Sequence, residues 1–178
     1  MELTFRRLSD DDLPLLHGWL NEPGVVRWWE DDDVSWDAVV REYGSASGEP
    51  AEHWIASLDG RPLGWIQCYA LADYADEAET KALWALGVDR TAAGIDYLLG
   101  DPGDRQRSLG SRMIRAFVDE VVFPSHPEWS QVSAGPFVAN VASWRALAKA
   151  GFRPLGEYDR GERDGPCRVM VLDRPLAG

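Results

Sequence analysis

The stretch GIDYLLGDPGDRQRSLGSRMIRAFVDEV, residues 94–121, contains the strand, turn and helix on which the fold prediction rests. An apolar strand is predicted from Ile95 to Leu99, a polar turn follows it, and an amphipathic helix begins directly afterwards. Free backbone N–H groups at such a turn and the positive end of the helix dipole point into one small volume. This order of elements is typical of an anion-binding site.

The charge pattern around this turn differs from that of the whole chain. The formal net charge is -12 at pH 7, yet Arg105, Arg107, Arg112 and Arg115 cluster at the turn and the start of the helix. A basic patch on an acidic protein favours a negatively charged ligand at that place. The turn alone leaves a simpler alternative open, in which the arginines are only solvated surface residues.

The composition predicts one soluble domain and excludes several classes of protein. The 178 residues are 45% hydrophobic and 27% charged, and no apolar run approaches the about eighteen residues of a membrane span. Residues 1–5 lack the basic and apolar regions of a signal peptide, which predicts a cytoplasmic location. Cys68 and Cys167 are far apart, which argues against a disulfide framework or a zinc site, and we expect no metal.

The negative net charge and the many tryptophans indicate which kind of ligand the chain binds. A strongly negative chain disfavours nucleic acid and suits a cationic ligand, although acidity for solubility alone is an alternative. The chain has nine tryptophans, and Trp28 and Trp29 stand directly before the acidic run Glu30 to Asp33. Aromatic and acidic side chains together favour cation binding. We therefore expect a small, positively charged amine as the partner.

The rest of the chain predicts a single α/β domain over residues 1–178. A capping box at Ser9 and Asp12 starts the first helix, the dipeptide Asp59-Gly60 predicts a hairpin turn, and Asn140 caps the last helix. Residues 71–81 are expected to be irregular and exposed. Strands are predicted over residues 3–8, 54–58, 62–70, 83–88, 95–99, 129–134, 152–158 and 168–172. The fold class is α/β (α+β), with a mixed, mostly antiparallel central sheet flanked by helices.

Two motifs resemble those of the GNAT N-acetyltransferase superfamily. Arg105-x-x-Ser108-x-Gly110 is similar to the signature Q/R-x-x-G-x-G/A, whose loop holds the pyrophosphate of acetyl-CoA. Asn140 and the run 149–152, KAGF, resemble the N-x-x-A-x-x-x-Y-x-K-x-G-F end of the same superfamily. The resemblance implies one GNAT domain that uses acetyl-CoA.

The closest resemblance is to the aminoglycoside 6′-N-acetyltransferase branch, and residues 19–29, 63–69 and 94–96 carry it. That branch is related to acyltransferases of siderophore assembly. The resemblance implies the following cofactor-binding residues: Leu98, Leu99, Arg105, Gln106, Arg107, Ser108, Leu109, Gly110, Ser111, Arg112 and Asn140. The expected substrate-binding residues are Trp28, Trp29, Asp31, Gln67, Tyr69, Trp84 and Asp96.

Asp96 is the candidate catalytic residue. It is a lone carboxylate in an apolar strand, where burial costs free energy unless the group has a task or a partner. The resembling enzymes carry an Asp at this position of the motif, where it orients and deprotonates the target amine. A structural carboxylate that caps a loop or pairs with an arginine is the alternative.

Three positions depart from the pattern of the family. Ser108 replaces the first glycine of the loop signature, and its Cβ penalises a positive φ. Gly135 stands where the branch often has a second substrate-binding Asp. Leu147 stands where many members have a tyrosine that protonates the leaving thiolate. These departures bear more on the aminoglycoside specificity than on acetyl transfer.

The sequence thus predicts an acetyl-CoA-dependent N-acetyltransferase that acts on a cationic amine, an aminoglycoside. Acylation of a siderophore precursor or a polyamine is one alternative, and non-catalytic binding of acyl-CoA or a cation is another. We expect no nucleic acid or membrane partner, and a chain that acts as a monomer or a homodimer.

Overall fold

One sheet of seven strands forms the centre of the computed structural model, which describes residues 1–29, 32–161 and 165–176. Its order is β1-β2-β3-β4-β5-β7-β6, and only β4 and β5 are parallel neighbours. The predicted α/β fold with a mixed, mostly antiparallel sheet is confirmed. The strands are β1 (Leu3–Arg7), β2 (Glu52–Leu58), β3 (Arg61–Ala70), β4 (Ala93–Leu99), β5 (Gln131–Ala134), β6 (Arg153–Tyr158) and β7 (Cys167–Asp173).

Helices cover both faces of this sheet. They are α1 (Leu13–Leu20), α2 (Pro23–Val26), α3 (Trp36–Tyr43), α4 (Ala78–Ala85), α5 (Leu109–Phe117), α6 (Phe123–Ser125) and α7 (Val141–Lys149). A π-helical segment over Val118–Val122 joins α5 to α6. In the described part of the chain, no helix has both the length and the apolar character to cross a bilayer.

The predicted strand over residues 83–88 is wrong, and so is the irregular segment before it. Helix α4 occupies Ala78–Ala85, after a 3₁₀ turn over Leu71–Tyr74. Its sequence, AETKALWA, consists mostly of strong helix formers, and Thr80 and Leu83 are buried along it. A short apolar run cannot be assigned to a strand or a helix by periodicity alone. This change places one face of α4 against the sheet.

The parallel pairing of β4 and β5 is very short. It consists of Ala93 opposite Val132 and Gly94 opposite Ser133. Beyond this point β4 continues to Leu99 in regular antiparallel register with β3. From Ile95 onward, β4 therefore has a strand partner on one side only, and the sheet opens between β4 and β5.

Two core clusters hold the opened sheet from opposite faces. Ile95, Phe117 and Leu147 belong to the cluster beneath α5 and α7. Leu98 and Trp65 belong to the cluster beneath α1 and α3, on the other face. Successive β4 side chains point to opposite faces, so this strand is fixed by both clusters while its edge toward β5 stays open.

The local signals that the sequence predicted are present at three junctions. Asp59 and Gly60 have φ angles of 48° and 80°, as a type I′ hairpin requires. Asn140 Oδ1 accepts a hydrogen bond from Ser143 N at 3.3 Å and caps α7, and Gly151 follows that helix with φ of 100°. These caps fix the ends of α7, which borders the open edge of β4.

The junction between β1 and α1 depends on Asp12. Its Oδ2 accepts from Ser9 N at 2.9 Å, and Arg6 donates to both of its oxygens at 2.6 Å. This confirms the predicted capping box and adds an ion pair to it. The bonds from Arg6 outweigh the effect of burial and lower the pKa of Asp12 to about 2.

We predict that Asp12→Asn lowers the free energy of unfolding by about 2 kcal/mol at pH 7. The pKa of Asp12 is lower in the folded than in the unfolded chain, so its contribution is complete above the unfolded value and is lost as pH falls through the folded one. Urea denaturation from pH 7 to 2.5 should show the two proteins converging at acid pH. Asp11→Asn, in the same turn but exposed, is the control and should change little. A constant difference across this range would contradict the assignment.

Candidate active site

A cavity of about 610 Å³ lies beside the end of β4 that has no strand partner toward β5, and we call it the loop cavity. The end of β4, the turn before α5, the first turns of α7 and residues after α1 enclose it. It brings together most of the predicted cofactor residues: Leu98, Leu99, Arg105, Gln106, Ser108, Leu109, Gly110, Ser111 and Asn140. Residues separated by more than thirty positions in sequence thus share one wall.

The backbone of the turn before α5 has two left-handed residues, Gln106 (φ 62°) and Ser108 (φ 58°). Such conformations turn neighbouring N–H groups toward a common centre, which is how backbone concavities bind anions. The positive φ that a Ser at position 108 was expected to disfavour is therefore adopted, at a cost of about 1 kcal/mol. The Ser108 hydroxyl partly offsets this cost, because it accepts a hydrogen bond from Lys149 Nζ at 3.3 Å.

The cations of the loop cavity are only partly those that the sequence predicted. Arg105 lines the cavity and forms an ion pair with Glu22, the residue that caps α2. Lys149 and Arg145 of α7 also line it, and neither is among the predicted site residues. The lysine of the KAGF run was the available signal for Lys149.

Two predicted cofactor residues lie away from the loop cavity. Arg107 is 65% exposed and its nearest acidic partner is Asp104, at 3.7 Å. Arg112 points toward the N-terminus, where its Nη1 lies 3.9 Å from Met1 Sδ. Neither residue lines the cavity. Their side chains follow the helical and turn geometry to the outer surface, which a count of nearby arginines does not reveal.

On the other side of β4 lie two connected cavities, of about 490 and 280 Å³, which we call together the acidic cavity. The residues that line both parts are Glu42, Gln67, Tyr69, Glu79 and Asp96. The 280 Å³ part meets the loop cavity at a junction, whose shared lining residues are Trp28, Trp29, Tyr97, Asn140 and Ser143. A ligand in each cavity would therefore come into contact at this junction.

Asp96 lies in the acidic cavity beside its cross-strand neighbour Gln67. Gln67 Nε2 donates to Asp96 Oδ2 at 2.7 Å, and Tyr69 gives it a second hydrogen bond. Burial raises the pKa of Asp96, against the lowering effect of these two donors. Both donors are neutral, so they orient the carboxylate without neutralising it. That combination suits a group that accepts a proton.

The acidic cavity carries a surplus of negative charge. Glu42, Glu49, Glu77 and Glu79 line it together with Asp96. Burial raises the pKa of Glu42, and the charges of Asp32 and Glu49 raise it further. Among the residues that the structure describes, the cations that line it are Arg41 and Arg160. A cavity of this charge favours cationic ligands.

Glu79 lines the acidic cavity, although it is not among the predicted site residues. It accepts a hydrogen bond from Tyr158 Oη at 2.7 Å and lies 3.6 Å from Arg160 Nη1. The segment that contains it was expected to be irregular and exposed. Helix α4 instead turns Glu79 inward, in the same structural change that removes the predicted strand.

Of the three tryptophans predicted to bind substrate, two line the junction and one does not. Trp29 packs edge-on against Trp65 with ring centroids 6.3 Å apart, and Trp28 lies 6.4 Å from Phe137. Trp84 lies instead on α4 under the guanidinium of Arg90, 4.5 Å from its ring, and lines neither cavity. Asp31, another predicted substrate-binding residue, lies outside the described residues.

One group of side chains has the composition of a metal site. A ligand atom from each of Glu52, Cys68 and His126 lies within 4.8 Å of the others. The carboxylate of Glu52 is already shared, because Arg7 Nη1 lies 2.6 Å from one oxygen and His126 Nε2 lies 3.2 Å from the other. Arg7 therefore already engages the Glu52 carboxylate of this group. Cys68 is fully buried.

The edge of β4 supplies a backbone donor to the junction. Gly100 N–H donates to Leu63 O at 3.0 Å, and the register between β3 and β4 is regular. Because N–H directions alternate along an antiparallel pair, the N–H of Leu98 points to β3 and that of Leu99 points away from it, to the open edge. Of these two predicted cofactor-binding residues, Leu99 is therefore the one whose backbone N–H faces the opening.

Residues 9–160 match the family model described as "Acetyltransferase (GNAT) domain". The chain belongs to the GNAT acetyltransferase family. Enzymes of this family transfer an acetyl group from acetyl-CoA, and the loop cavity, with its concave backbone and cations, fits the pyrophosphate of that molecule. The resemblance that the motifs carried is confirmed.

Relatives of this GNAT chain include enzymes that act on antibiotics. It is 30% identical over 176 residues, 97% of this chain and 83% of the relative, to aminoglycoside N(6′)-acetyltransferase type 1 of Klebsiella pneumoniae. It is 32% identical over 91 residues, 51% of this chain and 81% of the relative, to a kanamycin resistance protein of Rhizobium radiobacter. The solved structure of AAC(6′)-Ib with ribostamycin and coenzyme A superposes with a TM-score of 0.82, at 29% identity over 98% of this chain and 94% of that one.

We predict that Arg105→Gln weakens acetyl-CoA binding by about 1.5–3 kcal/mol, the scale of a hydrogen bond to a charged group. The reason is that Arg105 lines the loop cavity, whereas Arg107 lies outside it. Arg107→Gln removes the same charge from the same turn and is the matched control, with a loss of less than about 0.5 kcal/mol. Isothermal titration calorimetry measures both. Equal losses in the two variants would show that only the general positive charge of the turn matters.

Proposed function

We propose that this chain acetylates an amino group of an aminoglycoside, with acetyl-CoA as the acyl donor. The observation that carries the proposal is the junction, where the loop cavity meets an acidic cavity that contains Asp96. An aminoglycoside is a polycationic amino sugar, so its charge is complementary to that of the acidic cavity. The aminoglycoside acetyltransferases among the relatives support the same substrate class.

Binding of the acceptor would use charge and aromatic contact together. Carboxylates from α3, α4 and β4 line the acidic cavity and would pair with several ammonium groups of one ligand. Paired charges of this kind raise the rate of encounter and fix the orientation of the ligand. The indole faces of Trp28 and Trp29 would cover the sugar ring nearest to the junction.

The chemistry requires that an ammonium group lose a proton before it attacks the thioester. Asp96, whose pKa burial raises, would take this proton while Gln67 and Tyr69 hold the carboxylate in place. The nitrogen then forms a bond to the carbonyl carbon. Leu99 N–H, on the open edge of β4, would stabilise the negative charge that develops on the carbonyl oxygen. Collapse of the intermediate breaks the C–S bond and releases coenzyme A.

A panel of amines separates this proposal from its alternatives. Purified protein with acetyl-CoA is incubated with a kanamycin-type aminoglycoside, with hydroxylysine and with a polyamine, and released thiol is measured. The proposal predicts the highest kcat/KM on the aminoglycoside. A higher kcat/KM on hydroxylysine or the polyamine would favour an acyltransferase of a siderophore precursor or a polyamine. No thiol release with any amine would favour a protein that only binds acyl-CoA or a cation.

We predict that Asp96→Asn lowers turnover by about 10²- to 10⁴-fold, the usual share of general base catalysis. The affinity for acetyl-CoA should remain unchanged, because Asp96 lies in the acidic cavity. In the wild type, activity should fall as pH drops through the raised pKa of Asp96, since only the ionised carboxylate accepts a proton. The variant should lack this loss and should recover activity as pH rises and more amine is neutral. Steady-state kinetics over the whole pH range in which both proteins stay folded test this.

The control for Asp96→Asn is Asp73→Asn, which removes one exposed negative charge from the turn before α4. It should keep wild-type turnover. Wild-type rates for Asp96→Asn across the same pH range would make Asp96 a structural carboxylate and would remove the catalytic part of the proposal.

We also predict that Glu79→Gln raises KM for the aminoglycoside about 5- to 10-fold with kcat nearly unchanged, since one charge pair is worth about 1 kcal/mol in a partly exposed site. The effect should shrink at high salt, because screening weakens the same pair in the wild type. Glu157→Gln, on β6 and paired with Arg168, is the matched control. A KM equal to the wild-type value at low salt would place the ammonium groups elsewhere.

A further inference from the structure

The reaction ends with the departure of a thiolate, whose negative charge needs a hydrogen-bond donor. The family motif does not supply that donor in this chain. Leu147 occupies the expected position on α7, is fully buried and has no proton to donate. The sulfur must lie at the junction, because the acetyl group passes there from the loop cavity to the acidic cavity. Side chains that line both cavities are therefore the candidates.

Two of these side chains carry hydroxyl groups, and they are hydrogen-bonded to each other. Tyr97 Oη lies 2.7 Å from Ser143 Oγ and donates to the carbonyl oxygen of Ser143 at 3.3 Å. Ser143 lies in the first turn of α7, one turn before Leu147, and its N–H is held by the cap at Asn140. The pair thus spans from β4 to α7 across the opening of the sheet.

The tyrosine is held in its protonated form. Burial raises the pKa of Tyr97, more strongly than the bond to Ser143 lowers it, and the nearby charge of Asp96 acts in the same direction as burial. The hydroxyl therefore keeps its proton at every pH at which the enzyme works. When Ser143 Oγ–H donates to Tyr97 Oη, the Tyr97 proton can turn from the carbonyl oxygen of Ser143, its acceptor at 3.3 Å, toward a better acceptor in the junction, and the two bonds strengthen each other.

We propose that Tyr97 is a catalytic residue that donates its hydroxyl hydrogen bond to the sulfur of departing coenzyme A, with Ser143 as its positioning residue. As the C–S bond breaks, its electron pair moves to sulfur, and the Tyr97 O–H stabilises this charge while keeping its own proton. The thiolate leaves as such or takes a proton from solvent, and the amine loses one proton to Asp96 and one to solvent. The proposal depends on acetyl transfer at the junction but not on the identity of the amine.

The test is a double-mutant cycle of Tyr97→Phe and Ser143→Ala, assayed by thiol release with an amine that the wild type turns over. Tyr97→Phe keeps the ring and should lower kcat about 10- to 100-fold, somewhat below the loss of one oxyanion-hole donor because sulfur is a weaker acceptor. Its KM for acetyl-CoA should change less than about 2-fold. Ser143→Ala should lower kcat a few-fold in the wild type and should have no further effect in Tyr97→Phe.

Controls separate this role from a structural one. Ser45→Ala removes a hydroxyl bond of the same length, 2.7 Å to Asp10, at the exposed surface and should leave kcat unchanged. Thermal melting checks the fold of each variant. If Tyr97→Phe fails to fold, the kinetics of Ser143→Ala test the proposal instead. A lower kcat with an unchanged KM for acetyl-CoA supports it, and an unchanged kcat overturns it.

The remaining outcomes distinguish this inference from the proposed function. A folded Tyr97→Phe variant with wild-type kcat would overturn the role of the pair. So would a double variant whose loss in kcat equals the product of the two single losses. Either result would leave the proposed function intact. A wild-type protein that releases no thiol with any amine would instead overturn the proposed function, and the role of Tyr97 with it.

Discussion

The short parallel pairing of β4 and β5 is the constraint on which the rest of the structure depends. Only Ala93 and Gly94 of β4 pair with β5, so the backbone of this strand beyond Gly94 has no strand partner on that side. Buried N–H and C=O groups of this kind need another partner. An extended ligand with its own polar groups can supply one, and the pantetheine part of coenzyme A has that character. The opening is thus a strand position that a ligand can occupy.

The sheet also separates two electrostatic environments within one acidic chain. On one side of β4, a left-handed turn, a helix N-terminus and cations of α7 surround the loop cavity. On the other side, carboxylates of three elements surround the acidic cavity. A donor with a pyrophosphate and an acceptor with ammonium groups would therefore bind from opposite sides. They would meet at the two tryptophans that follow α2.

Much of this arrangement could be predicted from the sequence, because its signals are local. The turn before α5, the cap at Asn140 and the hairpin at Asp59 each lie within a few residues. The predictions that were wrong concern features that depend on tertiary contacts. The first half of helix α4 was predicted as an irregular, exposed segment, which hid Glu79, and its end was predicted as a strand, which placed Trp84 in the wrong surroundings. Arg107 and Arg112 lie near the loop in sequence, but only the folded chain shows which side chains face the cavity.

The most direct test of this account is a crystal structure with acetyl-CoA, or coenzyme A, and a kanamycin-type aminoglycoside. The account predicts pantetheine between β4 and β5, the pyrophosphate on the turn at residues 105–111, and an amino group of the sugar within hydrogen-bond distance of Asp96. The thioester oxygen should lie near Leu99 N–H. Coenzyme A bound outside the opening, or an aminoglycoside with no amino group near Asp96, would contradict the account.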